Sequence, residues 1–223
     1  TAIPKYSSRP DSKYVIYIDL DGESTSSSWG NIYAQPLQSW TDAEVFAIWQ
    51  VAAQDFLVWD INVTTDRSMY DAQSMSRKMM CIVTSTLDAA DGQAIGGIAH
   101  IGSFGGSSFN PCWVFNKGVK KTGETVCHEV GHTLGLNHDG TSNSTYYQGH
   151  NNWGPIMGAA YSTKTVMIDD ANRLSHWSKG EYSGADNGEN DLGIIGGYNG
   201  FDITEDEHAD TATSAATDLV IET

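Results

Sequence analysis

One eleven-residue stretch restricts this 223-residue chain more than any other. Between Cys127 and Asp139 it reads HEVGHTLGLNH. His128 and His132 are four residues apart, so on a helix they stand one turn apart on the same face. Gly135 follows three residues after His132. Glycine enters positive φ without a steric cost, so it can end the helix and turn the chain sharply. His138 can then return toward the first two histidines. Three converging imidazoles form the donor set of a catalytic zinc site, which keeps a fourth position open, whereas structural zinc sites normally close the shell with four protein ligands. Glu129, next to the first ligand, is the candidate general base and acid. The bare HExxH pattern is a weak signal alone. The added glycine and third histidine at these spacings make it specific.

The rest of the chain alternates strand and helix signals. Residues 1–13 read as a polar arm. Tyr14 to Leu20 (YVIYIDL) reads as a buried strand stopped by Asp21-Gly22. Thr41 and Glu44 form a capping box ahead of a helix expected over 42–58. Ile61 to Thr65 and Lys78 to Ser85 are further strands, and Ile98 to Ile101 and Trp113 to Asn116 flank a glycine-rich loop. Thr122 to Leu134 is the expected helix bearing the first two histidines. Strand–helix–strand alternation implies a largely parallel sheet, an α/β (α+β) arrangement. After Gly140 the composition turns to Asn, Ser, Tyr and Gly, and from about residue 183 to 210 acidic residues and glycine dominate. A catalytic domain over 1–205 is expected, with an upper lobe at about 14–138 and a lower lobe at 139–205. Residues 206–223 read as a linker or the start of a further module.

Twelve Lys plus Arg against 28 Asp plus Glu give a formal net charge of −16. That disfavours nucleic acid and anionic membrane as partners, since both attract positive charge. No apolar run approaches the roughly 18 residues a membrane span requires. Carboxylate clusters suit calcium, and two are candidates. Asp19, Asp21 and Glu23 form the first, and Asp186, Asn187, Glu189, Asn190 and Asp191 the second. Neither matches an EF-hand loop. The three cysteines, Cys81, Cys112 and Cys127, allow at most one bridge, with Cys112–Cys127 as the candidate pair; three buried thiols are the alternative. Sequons stand at Asn62, on an expected strand, and at Asn143.

HEVGHTLGLNH resembles the extended zinc motif of the metzincin metallopeptidases, and the following Asp139 makes it similar to their reprolysin-like branch. Pro155-Ile156-Met157-Gly158, with Met157 19 residues past His138, resembles the methionine turn that underlies the metal in that family. Segments YVIYIDLDG, AAQDFLVWDINVTTD and WSKGEY resemble secreted bacterial metzincins, and the tail DITEDEHADTATSAATDL resembles the junction before their accessory domains.

The resemblance implies a twisted, mostly parallel five-stranded sheet with a backing helix and an active-site helix, one antiparallel edge strand bordering the cleft, and a smaller irregular C-terminal lobe. It implies zinc held by His128, His132 and His138, with Gly135 and Met157 in support. In related branches a tyrosine two residues after the methionine reaches the zinc. Here position 159 is alanine and Tyr161 falls four after Met157, which leaves Tyr161 a candidate substrate or oxyanion contact. A peptide substrate, bound as an extended strand, is expected along an edge within Gly96 to Ser103 or Pro111 to Phe115.

The expected activity is hydrolysis of peptide bonds in extracellular proteins by Glu129-assisted attack of water at the zinc. The expected form is a secreted monomer, processed from a precursor. A module of the same fold that binds protein or glycan without cleaving is the alternative, as is hydrolysis of a non-peptide amide. The intact Glu129 speaks against the first and the methionine turn against the second.

Overall fold

The computed structural model describes residues 2–160 and 173–204. Tyr161 and the expected linker at 206–223 lie outside them. The central strand β1 (Val15–Asp19) is buried at all five positions, as a strand covered on both faces must be. It pairs in parallel with β4 (Asn62–Thr64) on one side and β5 (Lys78–Val83) on the other. Beyond β5 lies β7 (Cys112–Val114), parallel, and then β6 (Gly97–Ile98), antiparallel at the edge. The sheet order is thus β4-β1-β5-β7-β6. This mixed α/β architecture, mostly parallel with one antiparallel edge, is the one expected. Of the two candidate edges, Pro111 to Phe115 is excluded: β7 hydrogen-bonds to a neighbour on both sides, which leaves the role to Gly97–Ile98.

Helix α1 (Asp42–Asp55) starts at the expected box. The Thr41 backbone N–H donates to Glu44 Oε2 at 2.8 Å, and the Glu44 N–H donates to Thr41 Oγ1 at 3.3 Å. It ends at Asp55 rather than 58, because the chain turns so that Phe56 and Trp59 become buried while Leu57 and Val58 face solvent. The short helix α2 (Arg67–Asp71) follows β4. Helix α3 (Val119–Thr133) begins three residues earlier than expected. It crosses α1 closely at Gly123, where a β-carbon would fall 2.8 Å from Val51 Cβ. Both helices cover one face of the sheet and build the main core with Ile16, Ile18, Met79 and Val114. The other face carries Tyr17, Met80 and Trp113 beneath a hairpin, β2 (Ser24–Ser27) with β3 (Gly30–Tyr33). The sequence, rich there in Ser, Thr and Gly, had read as loop through Gly30.

The chain after His138 carries little regular structure: β8 (Trp153–Pro155) paired in parallel with β9 (Leu174–His176), and helix α4 (Asp191–Asn199). Helix α4 forms in a Gly-rich stretch of weak helix propensity, where Asn190 caps it by accepting from the Gly193 N–H. Among the described residues this part does not have a separate core. Ile156, Met157, Ile195 and Phe201 join the main one, and Trp177 Nε1 donates to the Asp55 carbonyl at 2.7 Å. The buried Arg173 pairs with Glu124 on α3. No helix among the described residues is long and apolar enough to cross a membrane.

Candidate metal centre

His128, His132 and His138 present one ligand atom each, all within 4.8 Å of one another. Two come from α3 and the third from the strap after it. That strap exists because α3 ends in a Schellman motif. Gly135, at φ +107°, sends its N–H to the His132 carbonyl at 3.0 Å, and the Leu136 N–H reaches the Gly131 carbonyl at 3.1 Å. The same turn aims a ligand: the Leu136 carbonyl accepts from His132 Nδ1 at 2.8 Å. The Ile156 carbonyl accepts from His128 Nδ1 at 2.8 Å. With both Nδ1 atoms protonated and engaged, both Nε2 atoms are left as donors toward a metal. His132 Nε2 and His138 Nε2 lie 2.9 Å apart. Two nitrogens about 2.0–2.1 Å from one tetrahedral zinc would stand roughly 3.3 Å apart, so the set fits with a small adjustment. Burial pushes the imidazolium forms out of range: His128 titrates at about 3 and His138 at about 4, and each is lowered further by a neighbouring histidine. All three rings are therefore neutral near pH 7, the state in which imidazole binds metal.

Glu129 lies on the same helix, buried, with Oε2 lacking any hydrogen-bond partner. Burial raises its carboxyl pKa well above the ordinary range. It packs directly under the edge strand: a β-carbon on Gly97 would meet Glu129 Oε1 at 2.4 Å. Gly96, Gly97, the three histidines, Glu129 and Tyr146 line one cavity of about 250 Å³.

Met157 is fully buried beneath α3. A β-carbon on Gly131 would sit 2.6 Å from its Sδ, and 3.2 Å from Trp177. Gly131, one residue before the second histidine, is therefore what lets Met157 approach the helix of the two histidines. Sequence reading had not singled it out, although a glycine inside an otherwise helical stretch is a signal of close packing. Tyr146 was also missed. Its ring lies 4.3 Å from His138 and 6.2 Å from His128, and burial together with Glu129 raises its pKa. It comes from a polar loop with no periodic pattern to mark it.

The candidate bridge between Cys112 and Cys127 is not formed; all three cysteines are free and buried. Parallel pairing of β5 and β7 puts Cys81, not Cys127, opposite Cys112. Cys127 instead faces the buried Asp55 carboxyl, and burial together with that carboxyl pushes its thiol pKa up. The first acidic cluster is partnered within the protein: Asp19 accepts from the Gly22 N–H at 2.8 Å and Glu23 pairs with Arg67. In the second, Glu189 takes the Asn137 N–H at 2.9 Å and its side-chain amide at 2.6 Å, which ties this loop to the strap carrying His138. Asn62 is buried inside β4, where no glycan can attach, and Asn143 is exposed.

Residues 43–139 match the model of the reprolysin-like metallo-peptidase family M12B. No curated protein matches the chain significantly. Among solved structures, one titled "Structure of myroilysin" aligns at 16% identity over 80% of this chain and 77% of its own, with a TM-score of 0.31, a superposition too loose to argue from.

Proposed function

We propose that the chain, whose residues 43–139 match the reprolysin-like metallo-peptidase model, is a zinc-dependent endopeptidase acting on extracellular proteins. One observation carries the reading. The three histidine donors, the unpartnered carboxylate of Glu129 and the glycine edge strand β6 all face a single cavity.

Zinc, when held by His128, His132 and His138, supplies Lewis acidity toward the scissile carbonyl and the attacking water. The residues of this chain supply the rest. The substrate backbone adds as an extended strand along Gly97–Ile98, so its carbonyl enters the cavity in a fixed register. Glu129 takes a proton from the attacking water at a carboxylate oxygen and delivers it to the departing amine. Burial raises its pKa well above the ordinary carboxylate range, which favours holding the proton between the two halves of that task. Tyr146, beside His138 at the cavity mouth, is placed to donate its hydroxyl proton to negative charge developing on the carbonyl oxygen.

The test is Glu129→Gln in the zinc-loaded protein, scored on casein and on a peptide library with products read by mass spectrometry. We expect zinc content to be unchanged and turnover to fall by roughly 10²–10⁴. Chelation should abolish wild-type turnover and zinc should restore it. Wild-type turnover in Glu129→Gln would remove Glu129 from the mechanism. A wild-type protein that binds substrates and cleaves none would favour the binding-module alternative.

A further inference from the structure

A second cavity adjoins the one that holds the three histidines. It encloses about 520 Å³, and Ile95 and Gly96 line both. This shared wall is fixed to the rest of the fold. The Gly96 carbonyl accepts from the Phe115 and Asn116 N–H groups at 2.8 and 3.1 Å, and a β-carbon on Gly96 would meet Asn116 Nδ2 at 2.5 Å. Asn116 Nδ2 in turn donates to Thr125 Oγ1 on α3 at 2.8 Å. The start of the edge strand, the segment after β7 and helix α3 therefore keep the two cavities in one geometry.

The second cavity has an apolar lining in Leu37, Leu87 and Phe115, of which Leu37 and Phe115 are buried. Its two hydroxyls are committed to backbone: Thr84 Oγ1 donates to the Gln35 carbonyl and Ser85 Oγ to the Pro36 carbonyl. Its charge is of one sign. Among the described residues that line it, Lys117 and Lys121 alone are ionisable, in a chain where Asp plus Glu outnumber Lys plus Arg by 28 to 12. Lys117 is exposed, and Lys121 is half-buried in the first turn of α3. That turn contains no acidic residue, and the start of a helix is the end at which its dipole disfavours cations. The charge of Lys121 thus does not serve the helix start. It makes this cavity positive in an otherwise acidic protein.

We propose that the second cavity is a specificity subsite for an acidic side chain of the substrate, glutamate foremost, selected by Lys117 and Lys121. The inference rests on the peptidase reading of the neighbouring cavity. Glutamate matches both surfaces: its methylene groups cover the apolar lining and its carboxylate meets the lysine ammonium groups. A basic side chain meets like charge there, and an apolar one gains the lining alone. Strand geometry sets the register. Gly97 lies against Glu129, and Gly96 and Ile95 are the next residues along, at about 3.3 Å per residue. The selected side chain therefore stands within two positions of the cleaved bond.

A proteome-derived peptide library is digested with the zinc-loaded protein and the cut sites are read by mass spectrometry. The best-cleaved peptide is then compared with versions carrying Glu, Gln or Lys at the enriched position. We expect an acid enriched within two residues of the cut. The kcat/KM should be roughly fivefold higher for Glu than for Gln, the scale of a partly exposed ion pair, and the ratio should shrink at about 1 M NaCl. The same ordering should appear in Kd, measured by fluorescence anisotropy on the Glu129→Gln protein. Lys117→Glu should bring the Glu-to-Gln ratio to one or below and favour the Lys peptide, and Lys121→Gln should lower the ratio as well. Lys179→Gln, at an exposed lysine outside both cavities, should keep it. Cleavage without an acid near the cut, or a fivefold ratio kept in both subsite variants, would overturn the subsite alone. A wild-type protein that cleaves no peptide would overturn the peptidase reading together with it.

Discussion

The backbone of Gly97 lies against the side chain of Glu129, so close that a β-carbon at position 97 would fall 2.4 Å from Oε1 and 2.7 Å from Cδ. Edge strand and candidate base are thereby fixed to each other, and any substrate registered on the strand is registered on the carboxylate. Gly97→Ala should push Glu129 aside while leaving the three histidines in place. A displacement of about 1 Å can cost on the order of a hundredfold in rate. We expect turnover to drop by about that factor with zinc content and melting temperature nearly unchanged. Wild-type kcat in the alanine variant would show that the contact does not matter to the chemistry.

Tyr146→Phe tests the phenol beside His138. Loss of one donor to a developing oxyanion costs roughly 10²–10³ in kcat. The expected result is a kcat reduced by about a hundredfold with KM little changed. A variant with raised KM and intact kcat would make Tyr146 a substrate-lining ring only.

Gly135→Ala strikes the turn instead of the cavity. At φ +107° an alanine is strained, by about 1–2 kcal/mol. The strain should loosen the Schellman turn, and with it the Leu136 carbonyl that aims His132 and the strap that delivers His138. Competition against a zinc chelator should show affinity weakened by roughly tenfold, since about 1.4 kcal/mol corresponds to that factor. Unchanged affinity would mean that the strap is held by its other contacts, Asn187 and Glu189 among them.

Asp55 gives a pH signature of stability. Burial raises its carboxyl to about 7, helped by Glu124 and opposed by the Cys127 thiol. A carboxyl whose folded-state pKa is raised favours the fold when protonated. Its contribution is complete below the unfolded pKa of about 4 and is lost as pH rises through about 7. Urea midpoints of wild type should therefore fall between pH 4 and 8 by more than those of Asp55→Asn, the difference amounting to roughly 1–3 kcal/mol. Parallel pH profiles for the two proteins would contradict the assignment.

Some features belong to short windows of sequence and were legible there. The helix of the two histidines, the glycine that ends it and the returning third histidine lie within eleven residues, where helical periodicity and one backbone preference decide the outcome. The capping box before α1 and the fully buried β1 are local in the same sense, and the alternation of strand and helix implied a largely parallel sheet, while its antiparallel edge was implied by the resemblance to the metzincins.

Other features were set by contacts between residues far apart in the chain. Strand register puts Cys81 opposite Cys112 and leaves Cys127 to Asp55, so spacing alone misdirected the candidate disulfide. Helix α4 forms from DLGIIGGYN because a cap and burial of Ile195 outweigh the weak propensity of three glycines. Gly97 over Glu129, Gly131 over Met157 and Tyr146 beside His138 are likewise meetings of separate segments. A sequence states which side chains can ligate, donate or turn. Which ones meet depends on packing, since the space available to each is set by neighbours dozens of residues away. For this protein, the sequence alone determined the three clustered histidines, the glutamate beside them and the turn between them; only the tertiary structure decided what surrounds them.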